Sequence, residues 1–217
     1  MTTSNSVFDT IARHGVVPVI AMDSVDMALP LADALLEGGL PVVEITFRTK
    51  AAAAAIELLA IHRPTLLVGA GTVLTAENLK AAKGSGATFA VAPGQNPTVL
   101  DAARELAMPF VPGVATPSDI ESALAHGYTL LKFFPAEALG GLGMLKALAA
   151  PYGHMGVRFV PTGGVNVANL ESYLAMDRVA AVGGTWIATR DDLQAGNWQV
   201  IRDRCRAAVE VVRRVRG

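Results

Sequence analysis

The sequence predicts a closed (β/α)8 barrel of the TIM type with an extra N-terminal helix, and two observations lead to this fold. Eight short apolar segments recur at intervals of roughly 20–29 residues, which is the spacing of a strand followed by a helix. Most of them lack alternation of apolar and polar residues, as strands of a parallel sheet do when both faces are covered. An open doubly wound sheet is the alternative, but no G-x-G-x-x-G segment follows the first apolar run, and eight regular units favour closure.

Each apolar segment is predicted to be one strand of the barrel. In chain order the segments are VVPVI (16–20), VVEIT (42–46), LLVGAG (66–71), TFAVA (88–92), PFVPG (109–113), TLLKFF (129–134), RFVPTGG (158–164) and VAAVGG (179–184).

Helical patterns fill the intervals between these strands. Thr75 is a predicted helix start, Ser118 with Glu121 has the spacing of a capping box, and Asn166 opens a further helix. The predicted helices cover residues 7–14, 27–39, 51–64, 75–86, 116–127, 166–175 and 197–217.

The composition predicts a large buried core and excludes several classes of protein. Hydrophobic residues make up 52% of the chain and charged residues 17%, against a usual ~25%, so disorder is not expected. A net charge of −1 and a pI near 6.4 argue against a nucleic-acid partner. No run of about 18 uninterrupted apolar residues is present, so neither a membrane-spanning helix nor a membrane partner is expected.

A chain of 217 residues fits one α/β barrel, so a single domain over residues 1–217 is expected. The N-terminal segment lacks the basic-then-apolar pattern of a secretory signal. Cys205 is the only cysteine, which excludes an intrachain disulfide framework. Together these features predict a cytoplasmic protein.

Lys132 interrupts the apolar run LLKFF of the sixth predicted strand. The other four lysines fall in predicted helices or polar loops. Active sites of TIM barrels lie where strands end and βα loops begin. Loss of water around a lysine favours the uncharged amine, which attacks ketones, so Lys132 is the candidate nucleophile. The alternative is a lysine that points outward or pairs with a core acid.

Glu44 interrupts VVEIT, the second predicted strand. The second and sixth strands lie opposite each other in an eight-stranded barrel, and even-numbered strands share interior layers. If both side chains point inward, the acid and the amine face each other and could share one substrate and a water. A buried carboxylate that satisfies local backbone is the alternative for Glu44.

Arg48 and Thr72 follow the second and third strands and are candidate substrate-binding residues. Arg48 lies four residues beyond Glu44, so period-two alternation puts both on one face if the strand continues that far. An arginine fork suits a carboxylate, and the Thr72 hydroxyl adds a donor at the same rim. A surface arginine after a strand and an ordinary turn or helix-cap threonine are the alternatives.

The last two predicted strands both end in glycine pairs, Gly163-Gly164 and Gly183-Gly184. Glycine lets backbone N–H groups approach an anion, and the loops after strands seven and eight of such barrels often bind phosphate. The helix that Asn166 opens would add a favourable dipole. By contrast, the four histidines are scattered and form no H-x-x-x-H pair, so neither a metal site nor a cofactor is predicted.

These segments together resemble the class I 2-keto-3-deoxy-6-phosphogluconate (KDPG) and 4-hydroxy-2-oxoglutarate (KHG) aldolase family. The similarity covers nearly the whole chain, and the combination of E-x-T-x-R-T with K-F-F-P-A-E is its most specific part. The resemblance implies a homotrimeric lyase of the Entner–Doudoroff pathway that cleaves a phosphorylated keto acid to pyruvate and glyceraldehyde 3-phosphate.

The resemblance also implies a role for each candidate residue. Lys132 would form the Schiff base and Glu44 would move protons. Arg48 and Thr72 would hold the pyruvate carboxylate, in a pocket lined by Pro93 and Phe134. The implied phosphate-binding residues are Thr162, Gly163, Gly164, Gly184 and Thr185. The family commonly has serine at position 185, and Thr185 keeps the hydroxyl but adds a methyl group.

Three alternatives remain at this point. The same chemistry could act on 4-hydroxy-2-oxoglutarate or on the galactonate isomer. A different phosphate-binding barrel enzyme, such as an epimerase or a thiamine-phosphate synthase, would need acid pairs, a metal site or a diphosphate site. A non-catalytic sugar-phosphate-binding barrel would need no lysine opposite a glutamate.

Overall fold

The strands of the computed structural model all pair in parallel and curl into a ring. The structure describes residues 3–217 of the chain. The strand segments in this part are β1 (Val16–Ile20), β2 (Val42–Thr46), β3 (Leu67–Gly71), β4 (Phe89–Val91), β5 (Phe110–Val111), β6 (Gly113–Val114), β7 (Leu130–Phe133), β8 (Arg158–Pro161) and β9 (Val182–Gly184).

The ring follows the order of the strands along the chain. One sheet runs β5-β4-β3-β2-β1-β9 and a second runs β6-β7-β8. Single bridges from Phe159 to Val179 and from Thr162 to Gly183 connect β8 to the β9 segment. On the other side, β5 continues into β6 across one residue, and the two together are the fifth predicted strand. The eight predicted strands therefore form the ring, and the predicted TIM-barrel fold is confirmed.

Pro112 is the residue that divides the fifth predicted strand. Proline has no N–H group, so it cannot donate to the ladder of a sheet. The carbonyl of Pro112 still accepts from the Lys132 N–H at 2.8 Å, and the carbonyl of Val111 accepts from the Ala92 N–H at 3.1 Å. The chain thus stays in the ring as two short segments.

Helices cover the outside of the ring, and all of the predicted helices have a counterpart. None of those in residues 3–217 is both long and apolar enough to cross a membrane. They are α1 (Thr3–His14), α2 (Ala28–Glu37), α3 (Ala52–His62), α4 (Ala76–Gly84), α5 (Pro97–Glu105), α6 (Pro117–Ala125), α7 (Gly141–Ala149), α8 (Leu170–Leu174), α9 (Arg190–Ala195) and α10 (Trp198–Arg216).

The capping box predicted at Ser118 and Glu121 is wrong. α6 has Thr116 as its N-cap and Asp119 as the reciprocal capping partner. Pro117 then occupies the first helical position, where the missing N–H group costs nothing. The Pro in the sequence TPSD therefore decides the start of this helix.

The helix predicted from Asn166 begins four residues later, at Leu170, and has five residues. The Asn166 side chain instead closes a turn: it accepts from the Ala168 N–H at 2.9 Å and donates to the Gly164 carbonyl at 3.1 Å. The expected dipole contribution of this helix to the glycine loop is therefore absent. Asn166 supports that loop by direct hydrogen bonding.

Large side chains in the barrel interior face glycines on the neighbouring strands. Gly69 pairs in register with Glu44 on one side and Phe89 on the other. A β-carbon at Gly69 would overlap the Phe89 ring, and a β-carbon at Gly71 would overlap the Glu44 carboxylate. The glycines of β3 therefore leave room for one aromatic ring deep in the barrel and one carboxylate nearer its mouth.

Candidate active site

Lys132 and Glu44 meet inside the barrel, as the sequence predicts. Lys132 lies on β7 and Glu44 on β2, strands that stand opposite each other in the ring. Nζ of Lys132 donates to Oε1 of Glu44 at 3.3 Å, and the two residues are 4% and 3% exposed. The short distance suits proton transfer between the amine and the carboxylate. Their burial keeps bulk water away from the pair.

Apolar side chains form the surroundings of this pair. The small interior cavity that contains Lys132 and Glu44 is otherwise lined by Ile11, Val17, Phe89, Val91, Val111, Leu130 and Val160. Ile11 comes from α1, so the extra N-terminal helix contributes to this cavity. An apolar wall of this kind strengthens the electrostatic interaction between the two charged groups.

Phe134 connects the amine to the first glycine loop. Nζ of Lys132 lies 5.6 Å from the centroid of the Phe134 ring. A β-carbon at Gly163 would lie 3.4 Å from the same ring and 3.3 Å from the α-carbon of Pro135. The predicted pyruvate-pocket residue Phe134 is therefore interposed between the predicted nucleophile and the predicted phosphate loop.

Thr72 has a backbone conformation that is unusual for its residue type. It directly follows β3 and is half-buried, with a φ of +54°. A positive φ is a true outlier for a β-branched residue and costs about 1–3 kcal/mol, and such strain concentrates at ligand sites. Pro93 follows β4 and is also half-buried. Both residues thus lie at the carboxyl ends of their strands, where the sequence places them.

Arg48 does not share a strand face with Glu44, because the second strand does not continue as far as residue 48. β2 ends at Thr46, and Arg48 lies in the turn that follows, exposed to solvent. There it lines an open cavity of about 420 Å³ together with Val19, Ala21, Asp23, Thr49, Thr185, Ala188, Thr189 and Arg190. Val19 is the register neighbour of Glu44, so the floor of this cavity adjoins the interior pair.

An ion pair that the sequence analysis missed lines one side of this cavity. Nε of Arg190 donates to Oδ2 of Asp23 at 2.6 Å, and Nη2 donates to Oδ1 at 3.0 Å. Gln194 adds a third hydrogen bond to the same carboxylate at 3.3 Å. The hydrogen bonds from Arg190 lower the pKa of Asp23, so this carboxyl group is ionised at neutral pH. It joins the segment after β9 to the segment after β1.

The first glycine loop offers free backbone donors. The N–H groups of Gly163 and Gly164 donate to no acceptor within residues 3–217, and both residues have a positive φ, +96° and +84°. Thr162 differs, since its N–H donates to the Phe133 carbonyl at 2.9 Å and its hydroxyl to the Val160 carbonyl at 3.3 Å. Both donors of Thr162 are thus already used, while the N–H groups of the two glycines have no hydrogen-bond partner within residues 3–217.

The second glycine loop has a packing reason for its glycine. A β-carbon at Gly184 would overlap the indole of Trp186, so the ring occupies the space above this residue. Thr185 is exposed and lines the same cavity as Arg48. The structure therefore puts one predicted phosphate residue, Thr185, and one predicted carboxylate residue, Arg48, on a common surface.

Two hydrogen-bond networks support the glycine loops from behind. Tyr173 of α8 donates to Glu137, the N–H of Glu137 donates to the Gly163 carbonyl at 3.0 Å, and the Glu137 side chain packs beneath Gly164. Burial, together with Glu137, raises the pKa of Tyr173, so its hydroxyl remains a donor at physiological pH.

The second network is centred on Asp192, which is buried between the β9 loop and α10. Its carboxylate accepts from Thr189, Asn197 and Arg204, and Arg204 also donates to the Trp186 carbonyl at 3.1 Å. This network fixes both ends of the segment from Trp186 to Thr189. Among residues 3–217, no three histidine, cysteine, aspartate or glutamate side chains form a group that could hold a metal ion.

Comparison with known proteins finds clear relatives. The family model described as KDPG and KHG aldolase matches residues 7–204. The chain is 44% identical over 211 residues to the 2-dehydro-3-deoxy-phosphogluconate aldolase of Haemophilus influenzae, covering 97% of this chain and 99% of that protein. It is 43% identical over 195 residues to the KHG/KDPG aldolase of Escherichia coli, covering 90% and 91% of the two chains.

A similar solved structure is the KDPG aldolase of Legionella pneumophila with pyruvate captured at low pH as a covalent carbinolamine intermediate. It is 42% identical to this chain, with a TM-score of 0.89, and the match covers 96% of this chain and 98% of that one. The structural match between the two chains therefore extends over the whole ring of strands.

Proposed function

The chain belongs to the KDPG and KHG aldolase family, and on that premise we propose that it is a class I aldolase that cleaves 2-keto-3-deoxy-6-phosphogluconate to pyruvate and glyceraldehyde 3-phosphate. The observation that carries the proposal is the buried contact between Nζ of Lys132 and Oε1 of Glu44, at 3.3 Å. An amine nucleophile beside a proton acceptor is the minimum that Schiff-base chemistry requires.

Lys132 begins the reaction as the nucleophile. Once Glu44 has accepted a proton from the ammonium group, directly or through a water, the neutral amine attacks the C2 ketone and forms a carbinolamine. Glu44 then returns a proton to the departing hydroxyl, water leaves, and a protonated imine joins Lys132 to the substrate. Both steps use one carboxylate within reach of one nitrogen.

The protonated imine draws electrons from the C3–C4 bond. That bond breaks as the C4 hydroxyl gives its proton to the Glu44 carboxylate, directly or through a water. Glyceraldehyde 3-phosphate leaves, and an enamine of pyruvate remains on Lys132. Protonation at C3 restores the imine, and attack of water at C2 releases pyruvate and the free amine. General acid–base assistance in such steps is typically worth about 10²- to 10⁴-fold.

The remaining candidates divide between the two ends of the substrate. We assign the pyruvate carboxylate to Arg48 and Thr72, and the walls of the pyruvate pocket to Pro93 and Phe134. The strained backbone of Thr72 and the position of the Phe134 ring beside Nζ support these roles.

The phosphate end is assigned to the two glycine loops. The unpaired N–H groups of Gly163 and Gly164 and the exposed hydroxyl of Thr185 support donor roles there. Thr162 and Gly184 belong to the same site, but their described contacts favour shaping the loops, since the donors of Thr162 are used and Trp186 covers Gly184.

A second activity, cleavage of 4-hydroxy-2-oxoglutarate, is favoured by the name of the E. coli relative, a KHG/KDPG aldolase. This substrate forms an imine on Lys132 in the same way, leaves the same pyruvate enamine after cleavage, and carries no phosphate. We also propose that residues 1–217 act as one domain and assemble as a homotrimer, as the resemblance implies. Light scattering after size-exclusion chromatography measures the mass of the assembly and so tests for a trimer directly.

Pyruvate trapping tests the proposed function. Borohydride with pyruvate should leave one covalent adduct, and peptide mapping should place it on Lys132. Lys132→Met should abolish both the adduct and turnover of the KDPG substrate, while Lys146→Met, which changes a lysine on α7, should leave both unchanged. An adduct on another lysine would refute the assignment. Activity should persist in EDTA; loss that a divalent ion restores would indicate metal-assisted chemistry instead.

A further inference from the structure

The open cavity above β9, β1 and β2 contains more positive than negative charge. Arg48, Arg190 and Asp23 are its charged lining residues. Asp23 is held by Arg190, whereas Arg48 forms no ion pair within residues 3–217. A cleft with a surplus of one charge raises the local concentration of ligands of the opposite charge, here anions.

Arg190 keeps free donors although it is paired. A guanidinium has five N–H donors, and Arg190 uses one at Nε and one at Nη2 for Asp23. Three donors remain, on a side chain that is 67% exposed. The two-point contact fixes the plane of the fork, so the remaining N–H groups are held in one orientation, which suits bidentate recognition of a phosphate.

The position of Arg190 along the chain assigns it to one end of the substrate. It lies five residues after Thr185, in the same segment after β9, and both residues line the cavity. Arg48 belongs instead to the turn after β2, the strand of Glu44. We infer that Arg190, positioned by Asp23, binds the phosphate end of the substrate as a donor in addition to the glycine loops. This inference rests on the proposed function.

The test compares two substrates that share the chemistry at Lys132: one carries a phosphate at C6, and 4-hydroxy-2-oxoglutarate ends instead in a carboxylate at C5. Arg190→Ala should lower kcat/KM for the phosphorylated substrate by about 10- to 100-fold, as expected for hydrogen bonds to a charged group. It should change kcat/KM for 4-hydroxy-2-oxoglutarate less than about 3-fold. Arg190→Lys, which keeps the charge and loses the fork, should lie between wild type and Arg190→Ala.

A second variant separates lost binding from new repulsion. Arg190→Ala leaves the Asp23 carboxylate unpaired in the cavity, where it would itself repel a phosphate. In the double variant Asp23→Asn/Arg190→Ala that charge is gone. If Arg190 binds the phosphate, the double variant stays as impaired as Arg190→Ala; if repulsion is the whole effect, it recovers, and the inference is overturned.

The pair between Arg63 and Asp33 provides a matched control. It has the same two-point geometry, with Nε to Oδ1 at 2.6 Å and Nη2 to Oδ2 at 2.8 Å, and does not line the cavity. Arg63→Ala should leave the substrate ratio unchanged. Circular dichroism and the melting temperature check that every variant is folded.

The results of these experiments distinguish failure of the Arg190 assignment from failure of the proposed function. A wild-type chain that cleaves neither substrate refutes the proposed function, and the inference with it. A wild-type chain that cleaves both, with a ratio of kcat/KM that Arg190→Ala does not change, overturns the inference alone. A selective loss in Arg190→Ala that persists in the double variant and is absent from Arg63→Ala supports it.

Discussion

The carboxylate of Glu44 lies over the α-carbon of Gly71, in the space that a side chain at position 71 would fill. Gly71 ends β3, the strand next to β2, so the acid on one strand depends on the missing side chain of its neighbour. From there Glu44 reaches across the barrel to Lys132 on β7. The orientation of the proposed proton shuttle is therefore set partly by a glycine that takes no part in the chemistry.

Glu44→Gln should lower kcat by about 10²-fold or more, because the amide keeps the shape of the side chain and cannot accept the proton. Gly71→Ala should lower kcat on the same scale, since the new methyl group displaces the carboxylate from Lys132. The double variant should be no slower than Glu44→Gln, because both changes remove the same function, proton transfer by Glu44. Steady-state pyruvate release measures all three.

Gly84→Ala is the control for Gly71→Ala. Gly84 ends α4, and an added β-carbon there has no neighbour within 4 Å. Alanine should keep the wild-type kcat and should stabilise the helix by up to about 1 kcal/mol. A Gly71→Ala variant with wild-type kcat would show that Glu44 does not need its present position.

The barrel and the Lys132–Glu44 pair are predictable from sequence because short local patterns indicate both the strands and the charged residues within them. Lys132 and Glu44 are charged residues within apolar strands, and the symmetry of eight strands puts those strands opposite each other. The face of Arg48 was not predictable in this way, because period-two reasoning holds only while a strand lasts and β2 ends at Thr46.

Contacts between residues distant in sequence are the part that pattern analysis missed. Asp23 and Arg190 are 167 residues apart and meet only because closure of the ring makes β1 and β9 neighbours. Asp23 lies three residues after the end of β1, and Arg190 lies six residues after the end of β9, as the first residue of α9. Charged residues in the segments that follow strands are therefore a usable signal of a site at the mouth of the barrel. Glu137 stands in the motif K-F-F-P-A-E, yet nothing local connects it to Tyr173.

Tyr173→Phe should weaken the support of the first glycine loop. The variant removes the hydroxyl that donates to Glu137 and keeps the buried ring. We expect a loss of about 1 kcal/mol in the free energy of unfolding, the usual size of one hydrogen bond. We also expect a several-fold lower affinity for glyceraldehyde 3-phosphate, measured by product inhibition, because the N–H groups of Gly163 and Gly164 are then less ordered.

Tyr152→Phe is a suitable comparison, since that hydroxyl also donates to a glutamate, Glu121, at 3.0 Å on the surface. It should leave product inhibition unchanged. Equal inhibition constants in the Tyr173 and Tyr152 variants would show that the hydrogen bond from Tyr173 to Glu137 does not order the loop.

Asp192 should contribute stability that acid removes. Burial by itself raises the pKa of this carboxyl, but hydrogen bonds from Thr189, Arg204 and Asn197 outweigh it and hold the pKa at about 2, below the ordinary 3.8. The contribution is therefore fully present above about pH 4 and is lost as the pH falls towards 2. The lowering of the Asp192 pKa corresponds to about 2 kcal/mol in the free energy of unfolding at neutral pH.

Urea unfolding at fixed protomer concentration measures this contribution. Asp192→Asn should be less stable than wild type by roughly that amount at pH 7, and the difference should shrink as the pH falls from 4 towards 2. Asp203→Asn, at an exposed pair with Arg206, should cost less than about 1 kcal/mol at every pH. A difference between wild type and Asp192→Asn that does not change with pH would contradict the assigned shift.

Thr185→Val tests the second glycine loop more cleanly than a glycine change does. Gly184→Val would collide with Trp186 whether or not a ligand binds, so its effect on phosphate could not be separated from misfolding. Valine at position 185 keeps the shape of an exposed side chain and removes only the hydroxyl.

For Thr185→Val we expect a roughly 10-fold loss in kcat/KM for the phosphorylated substrate, with a fall in kcat as well as a rise in KM. The reason is that binding energy at the remote phosphate helps to position the reacting carbons. Thr185→Ser should be nearly neutral, and 4-hydroxy-2-oxoglutarate should be cleaved at the wild-type rate by both variants. An equal loss with both substrates would mean that Thr185 acts on the shared pyruvate end, beside Arg48, and not on the phosphate.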